Sequence, residues 1–89
     1  AIPSLNMNDG PQGFRGIPGT STQWPCALSI ASTWNPDSAL LWGSLMGEEF
    51  VGKGANVQLG PGVNVDRVPV DGRNFEYISG EDPFLGYVM

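Results

Sequence analysis

Residues 33–61, "TWNPDSALLWGSLMGEEFVGKGANVQLGP", carry a helix and a strand written back to back. Asn35 is a side-chain acceptor placed to cap a helix, Pro36 has the fixed φ suited to a first helical position, and Asp37 stands near the positive end of the dipole. Trp42, Met46 and Phe50 then recur four apart with Leu41 and Leu45 beside them, giving one broad apolar face, while Asp37, Ser44 and Glu48 point largely elsewhere. The spacing predicts a helix from Pro36 to about Lys53, closed by Gly54 as a left-handed cap. Val57 and Leu59 next alternate with Asn56 and Gln58, the two-residue period of a strand, which Gly60-Pro61 ends.

Outward from this unit the order repeats. Upstream, residues 2–7 are short and mostly apolar and run into Asn8-Asp9-Gly10-Pro11, which reads as a buried strand leaving into a turn. A glycine-rich loop then extends to about Pro25. Downstream, a loop of about twenty residues carries Arg67, Asp71, Arg73 and Glu76, and Asp82-Pro83 repeats the cap-plus-proline signature at the start of a second helix. Strand, long loop, helix, strand, long loop, helix implies an α/β fold with parallel strands. A parallel sheet needs more strands and covered faces, so two strands call for further chain around them.

The 89 residues include 13 glycines and 8 prolines, nearly a quarter of the chain, yet three Trp, four Phe and two Tyr argue for a packed, loop-rich protein over a disordered one. Nine acids against four bases give a net charge of −5 with no basic run, which argues against nucleic acid as a partner. A single cysteine, Cys26, cannot form an internal disulfide. With no histidine, the usual zinc sets and any Ser–His or Cys–His dyad are excluded within this chain, and no metal or cofactor is expected. No run of about eighteen apolar residues suggests a membrane span, and the N-terminal "AIPSLNMND" lacks the features of a signal peptide. Both ends read as cuts.

Three local patterns imitate known sites. Gly10, Gly13, Gly16 and Gly19 with Pro11 and Pro18 between them resemble collagen triplets, but the register lasts three triplets and a triple helix needs it sustained. The remaining reading is a loop whose backbone needs positive φ angles and close approach. Gly47, Gly52 and Lys53 have the spacing of a phosphate-binding loop, but Gly54 replaces the required hydroxyl and the stretch lies late in a helix. Glu48-Glu49 and Glu81-Asp82 are adjacent acids, which do not face each other on a helix and fit solvated surface or capping.

Asp9 and Arg73 differ from these, because each follows an expected parallel strand and both should emerge on the C-terminal face of the sheet, where α/β proteins place their sites. A carboxylate accepting from two hydroxyls and a guanidinium donating a planar fork suit a polyhydroxylated ligand such as a sugar. From spacing alone an internal salt bridge tying the loops together fits equally well.

The segments "NDGPQGFRG", "WPCALSIASTWNPDSALLWGSLMGEEFVGKGANVQLGPGVNV" and "RVPVDGRNFEYISGEDPFLGY" closely resemble the N-terminal domain of glycoside hydrolase family 3, the β-glucosidase family, over essentially the whole chain and in the family's order. The resemblance implies a retaining hydrolase that removes β-linked glucose from non-reducing ends of a β-glucoside or oligosaccharide. It implies that residues 1–89 are a partial domain, truncated at both ends, covering about two βα units of an incomplete (β/α)8 TIM barrel. By it, the acid of "DGPxGxR" and the arginine of "GRNxE", here Asp9 and Arg73, bind hydroxyls of the terminal sugar, and Arg15, Arg67 and Glu76 brace the loops that carry them. The family's nucleophile, its acid/base and its Lys-His pair are not among these residues, so the segment alone is expected to be inactive and to depend on the rest of its barrel and a following domain. A non-catalytic carbohydrate-binding homologue is the alternative. A secreted or periplasmic location is what the family favours.

Overall fold

The helix at the centre of the sequence forms as its caps dictate. In the computed structural model, which describes residues 1–16 and 19–89, α2 spans Pro36–Gly52 after a short α1 at Ala27–Ala31. Asn35 Oδ1 accepts from the backbone N–H groups of Asp37 and Ser38 at 3.0 and 3.4 Å, satisfying two donors that the first turn leaves open. At the other end Gly54 takes φ +89°, its N–H donates to Val51 O, and the N–H of Ala55 donates to Phe50 O, both at 3.0 Å. Those paired bonds are a Schellman closure, and they turn the chain straight into the next strand.

The buried face of α2 is narrower than the sequence implies. Ala39, Trp42, Met46 and Phe50 are buried, one row at helical spacing. Leu41 and Leu45, expected on the same face, remain 59% and 40% exposed. They lie on the flank of the Trp42–Met46–Phe50 row, beside Trp24, Pro25 and Ile30, where they line an open apolar hollow. Met46 Sδ meets Gln58 Nε2 at 3.0 Å, and Phe50 packs edge-on against Phe14 with ring centroids 5.4 Å apart. Burying each of these large side chains contributes about 1.5–3 kcal/mol.

Two strands, β1 at Met7–Asp9 and β2 at Val57–Leu59, pair in parallel with Met7 opposite Val57, Asn8 opposite Gln58 and Asp9 opposite Leu59. The parallel arrangement agrees with the expected order of elements. The first strand does not lie at residues 2–7, however. Ile2 and Leu5 are exposed, with no strand beside them among the described residues. Asn6 explains where pairing begins: its N–H donates to Asn56 Oδ1 at 2.7 Å, and its carbonyl accepts from Asn56 and Val57. Asn56 in turn donates to Ser4 O at 3.1 Å. This asparagine clasp brings the chain into register at Met7, so Asp9 is the last residue of β1 and not a residue beyond it.

Helix α1 has no counterpart in the sequence reading. It is one and a half turns long, too short for periodicity to show, and Cys26 at its N-cap makes no side-chain cap bond. Ala27, Ile30 and Ala31 are buried and meet Ile78 in the same core. Ile78 belongs to the segment after β2, where Gly62 and Tyr77 form an isolated parallel bridge and the N–H of Ile78 donates to Gly62 O at 2.9 Å. A single 3-10 turn, Asn74–Glu76, precedes that bridge. The second expected helix is present as α3, Pro83–Val88, with Asp82 Oδ1 accepting from Phe84 N at 2.9 Å. Pro18, one slot of the collagen-like run, lies outside the described residues.

Candidate functional site

The chain leaves β1 through a bend that only glycine permits. A Cβ on Gly10 would stand 2.1 Å from the carbonyl oxygen of Gly13, and Gly13 itself has φ +132°. These two contacts account for half of the three-residue glycine pattern. The bend sends the loop back along β1: Arg15 N–H donates to Asn8 Oδ1, and Arg15 Nη1 meets Asp9 Oδ2, both at 3.3 Å. The Asp9 side chain is nonetheless 57% exposed, so this ion pair leaves much of the carboxylate open.

Arg73 is set up from the other strand. Asp71 Oδ1 accepts from the N–H of Arg73 at 3.1 Å, which starts the 3-10 turn, and one turn later Glu76 accepts from Arg73 Nε. Glu76 is the buried partner, with its side chain 4% exposed, while that of Arg73 is 69% exposed. The hydrogen bond and charge of Glu76 hold the Arg73 guanidinium above even its ordinary high range, so it is cationic at any working pH. The second carboxylate oxygen of Glu76 accepts from Gln12 Nε2 at 3.2 Å.

Asp9, Arg73 and Glu76 line one cleft at the C-terminal ends of the two strands, together with Pro61, Asn64 and Tyr77. Its volume is about 320 Å³, at the low end of the ~300–1,000 Å³ typical of small-molecule sites. Two apolar hollows, of about 240 and about 650 Å³, follow the flanks of α3 and α2 and contain neither Asp9 nor Arg73. The chemistry therefore gathers in the more polar cleft.

Among the described residues the ion pairs are Arg15–Asp9 and Arg73–Glu76, each within its own loop. Asp9 and Arg73 do not pair with each other, which leaves both side chains facing the cleft. Arg67 is exposed, makes no ion pair among the described residues, and lies outside the cleft. Two residues in or beside the cleft escaped the sequence reading. Tyr77 donates its hydroxyl to Asp71 Oδ2 at 3.3 Å, and burial together with Asp71 pushes that hydroxyl's pKa up, so it stays a donor. Gln12 is the unspecified position of "GPxG". The only available signal for either was adjacency to a motif.

The imitation sites resolve as capping and bracing. Gly47 and Gly52 lie inside α2, so no phosphate cradle forms, and Lys53 donates to Thr20 O with its ammonium 6.0 Å from the Phe14 ring. Glu49 accepts from Thr22, whose hydroxyl and N–H, with Lys53 nearby, hold its carboxyl below the usual carboxylate range. Among the described residues no cluster of three metal-ligating side chains occurs, and no helix is long and apolar enough to cross a membrane.

No protein-family model matches the chain. Curated relatives do: it is 45% identical over 96 residues to a probable beta-glucosidase I of Aspergillus fumigatus and 44% identical over 96 residues to beta-glucosidase BoGH3A of Bacteroides ovatus. The matches take in 99% and 94% of this chain but 11% and 13% of those proteins, so it spans roughly a tenth of their length. Among solved structures, the GH3 beta-glucosidase of Bifidobacterium adolescentis superposes with a TM-score of 0.88 at 42% identity, over 98% of this chain and 13% of that one. In sequence and in fold, these 89 residues belong to glycoside hydrolase family 3, as one stretch of it.

Proposed function

We propose that the protein containing these residues is a retaining β-glucosidase that releases β-linked glucose from non-reducing ends, and that residues 1–89 are two βα units of its N-terminal (β/α)8 barrel. The observation that carries this is the cleft at the C-terminal ends of β1 and β2, which receives an open carboxylate from one strand and an exposed guanidinium from the next. That end of a barrel is where glycosidase and other sites are built. The names of the relatives, beta-glucosidases in each case, support the hydrolase over a non-catalytic carbohydrate-binding homologue.

In this reading Asp9 accepts from neighbouring hydroxyls of the terminal sugar and Arg73 donates to another, fixing the ring against the reacting centre. Arg15 steadies Asp9, and Glu76 steadies Arg73. A retaining mechanism also needs a nucleophile and an acid/base about 5 Å apart across the scissile bond. We assign neither to residues 1–89; this segment supplies binding, and the separate segment is expected to be inactive. The test is the stereochemistry of the first product. The full-length protein acting on an aryl β-glucoside should release β-glucose first, as read by proton NMR before mutarotation. Initial release of α-glucose, or no hydrolysis, defeats the proposal.

A further inference from the structure

We propose that Gln12 is a positioning residue for Arg73, acting through the buried carboxylate of Glu76. The inference rests on the cleft being the glycone subsite and adds a residue to it. Arg73 is mostly exposed and long, and an exposed guanidinium has no reason to hold one orientation. Its one tether among the described residues is Nε on Glu76 Oε1. The direction of its remaining N–H groups in the cleft is therefore set by where that carboxylate sits. The carboxylate is fixed in turn at its other oxygen, Oε2, by Gln12 Nε2 at 3.2 Å.

Gln12 is itself well held. Its carbonyl accepts from Trp24 N at 3.0 Å, and its neighbours Pro11 and Gly13 are both buried. It belongs to the loop that leaves β1 directly after Asp9, while Glu76 lies 64 positions away in the segment that carries Arg73. Because the two ion pairs stay on their own sides, the Gln12–Glu76 bond is, among the described residues, the side-chain link that relates the Asp9 side of the cleft to the Arg73 side. An amide is the chemistry this position needs. A lysine would compete with Arg73 for the negative charge, and a carboxylate would repel Glu76, whereas an amide donates one N–H and leaves the charge to Arg73.

The test uses Gln12→Glu in the full-length protein, with kcat/KM on an aryl β-glucoside measured against pH and divided by the wild-type value at each pH. The charged and titratable groups around Glu76 are Arg73, Asp71 and Tyr77 from its own segment and, across the cleft, Asp9, to which Arg15 is paired. All of these are common to both proteins, so the ratio isolates the introduced carboxyl. At about pH 5 that carboxyl, raised by the carboxylate beside it, keeps its proton and donates to Oε2 in place of the amide; by about pH 7 it has ionised and pushes Glu76 away. The ratio should be within about threefold of one at the acid end and fall by about tenfold or more at neutrality. A ratio that stays flat across this range, high or low, overturns the proposal. If Gln12→Glu yields no folded protein, Gln12→Leu decides: kcat/KM lost with the melting temperature within about 2 °C supports positioning, while losing both together, or neither, refutes it. Asp9→Ala in the same assay separates the two levels of inference. If Asp9→Ala loses activity and the Gln12 variants do not, only the role of Gln12 fails; if Asp9→Ala is also silent, the cleft reading fails with it.

Discussion

Removing the Asp9 carboxylate should cost catalysis far more than it costs stability. Its structural partner is Arg15, at 3.3 Å with both side chains more than half exposed. An exposed ion pair of that kind contributes about 0–1 kcal/mol, so Asp9→Ala should barely move the melting temperature. Its functional partners would be two sugar hydroxyls in a closed, occupied cleft, where a hydrogen bond to a charged group is worth about 1.5–3 kcal/mol. Arg15 already draws on one carboxylate oxygen, and part of the gain is present in the ground state, so the sum of two such bonds is an upper limit. A net loss of about 2–4 kcal/mol of transition-state stabilisation remains, which is about 30-fold to nearly 1,000-fold in kcat/KM. The assay is steady-state hydrolysis of an aryl β-glucoside by the full-length variant, with a melting curve on the same sample. An Asp9→Ala enzyme within about threefold of wild type would show that the acid serves only to hold Arg15 and shape the loop.

Other consequences follow from the same contacts. Glu76→Ala leaves the Arg73 and Gln12 donors without their acceptor, and should lower stability by about 1–3 kcal/mol as well as activity, read by denaturant titration and kinetics together. Asn35→Ala removes the cap of α2 and should cost about 0.5–2 kcal/mol of stability while leaving kcat/KM near wild type. Lys53→Ala should leave kcat/KM unchanged, since Lys53 closes α2 and reaches Thr20 and Phe14 and does not line the cleft. ATP binding that disappears with this substitution would overturn that reading.

The parts of the fold that local chemistry writes were readable in the sequence. Asn35-Pro36 and Asp82-Pro83 start α2 and α3 where expected, and Gly54 ends α2, because caps depend on one or two side chains close in the chain. What long-range pairing decides was not readable. The start of β1 depends on Asn6 and Asn56, 50 positions apart, and the exposure of Leu41 and Leu45 depends on which parts of the chain pack against that flank of α2. Helix α1 was hidden by its length. At the site, the sequence singled out Asp9 and Arg73 as residues beyond two strands; the structure makes Asp9 the last residue of β1 and brings both to one cleft. Gln12 was not, because its contact with Glu76 spans 64 positions and forms only in the fold. Arg67, named by motif alone, lies away from the cleft.

The central claim is that Arg73 serves the ligand and does more than brace its loop, and Arg73→Lys in the full-length enzyme tests it most directly. Lysine keeps the positive charge but loses the planar set of donors, so it can still meet Glu76 while presenting no fork to a sugar. Kinetics on an aryl β-glucoside and a melting curve, taken on the same purified protein, give the two quantities that separate the roles. The account predicts that kcat/KM falls by about tenfold or more while the melting temperature stays within about 2 °C of wild type. A large drop in melting temperature with near-normal kcat/KM would contradict it.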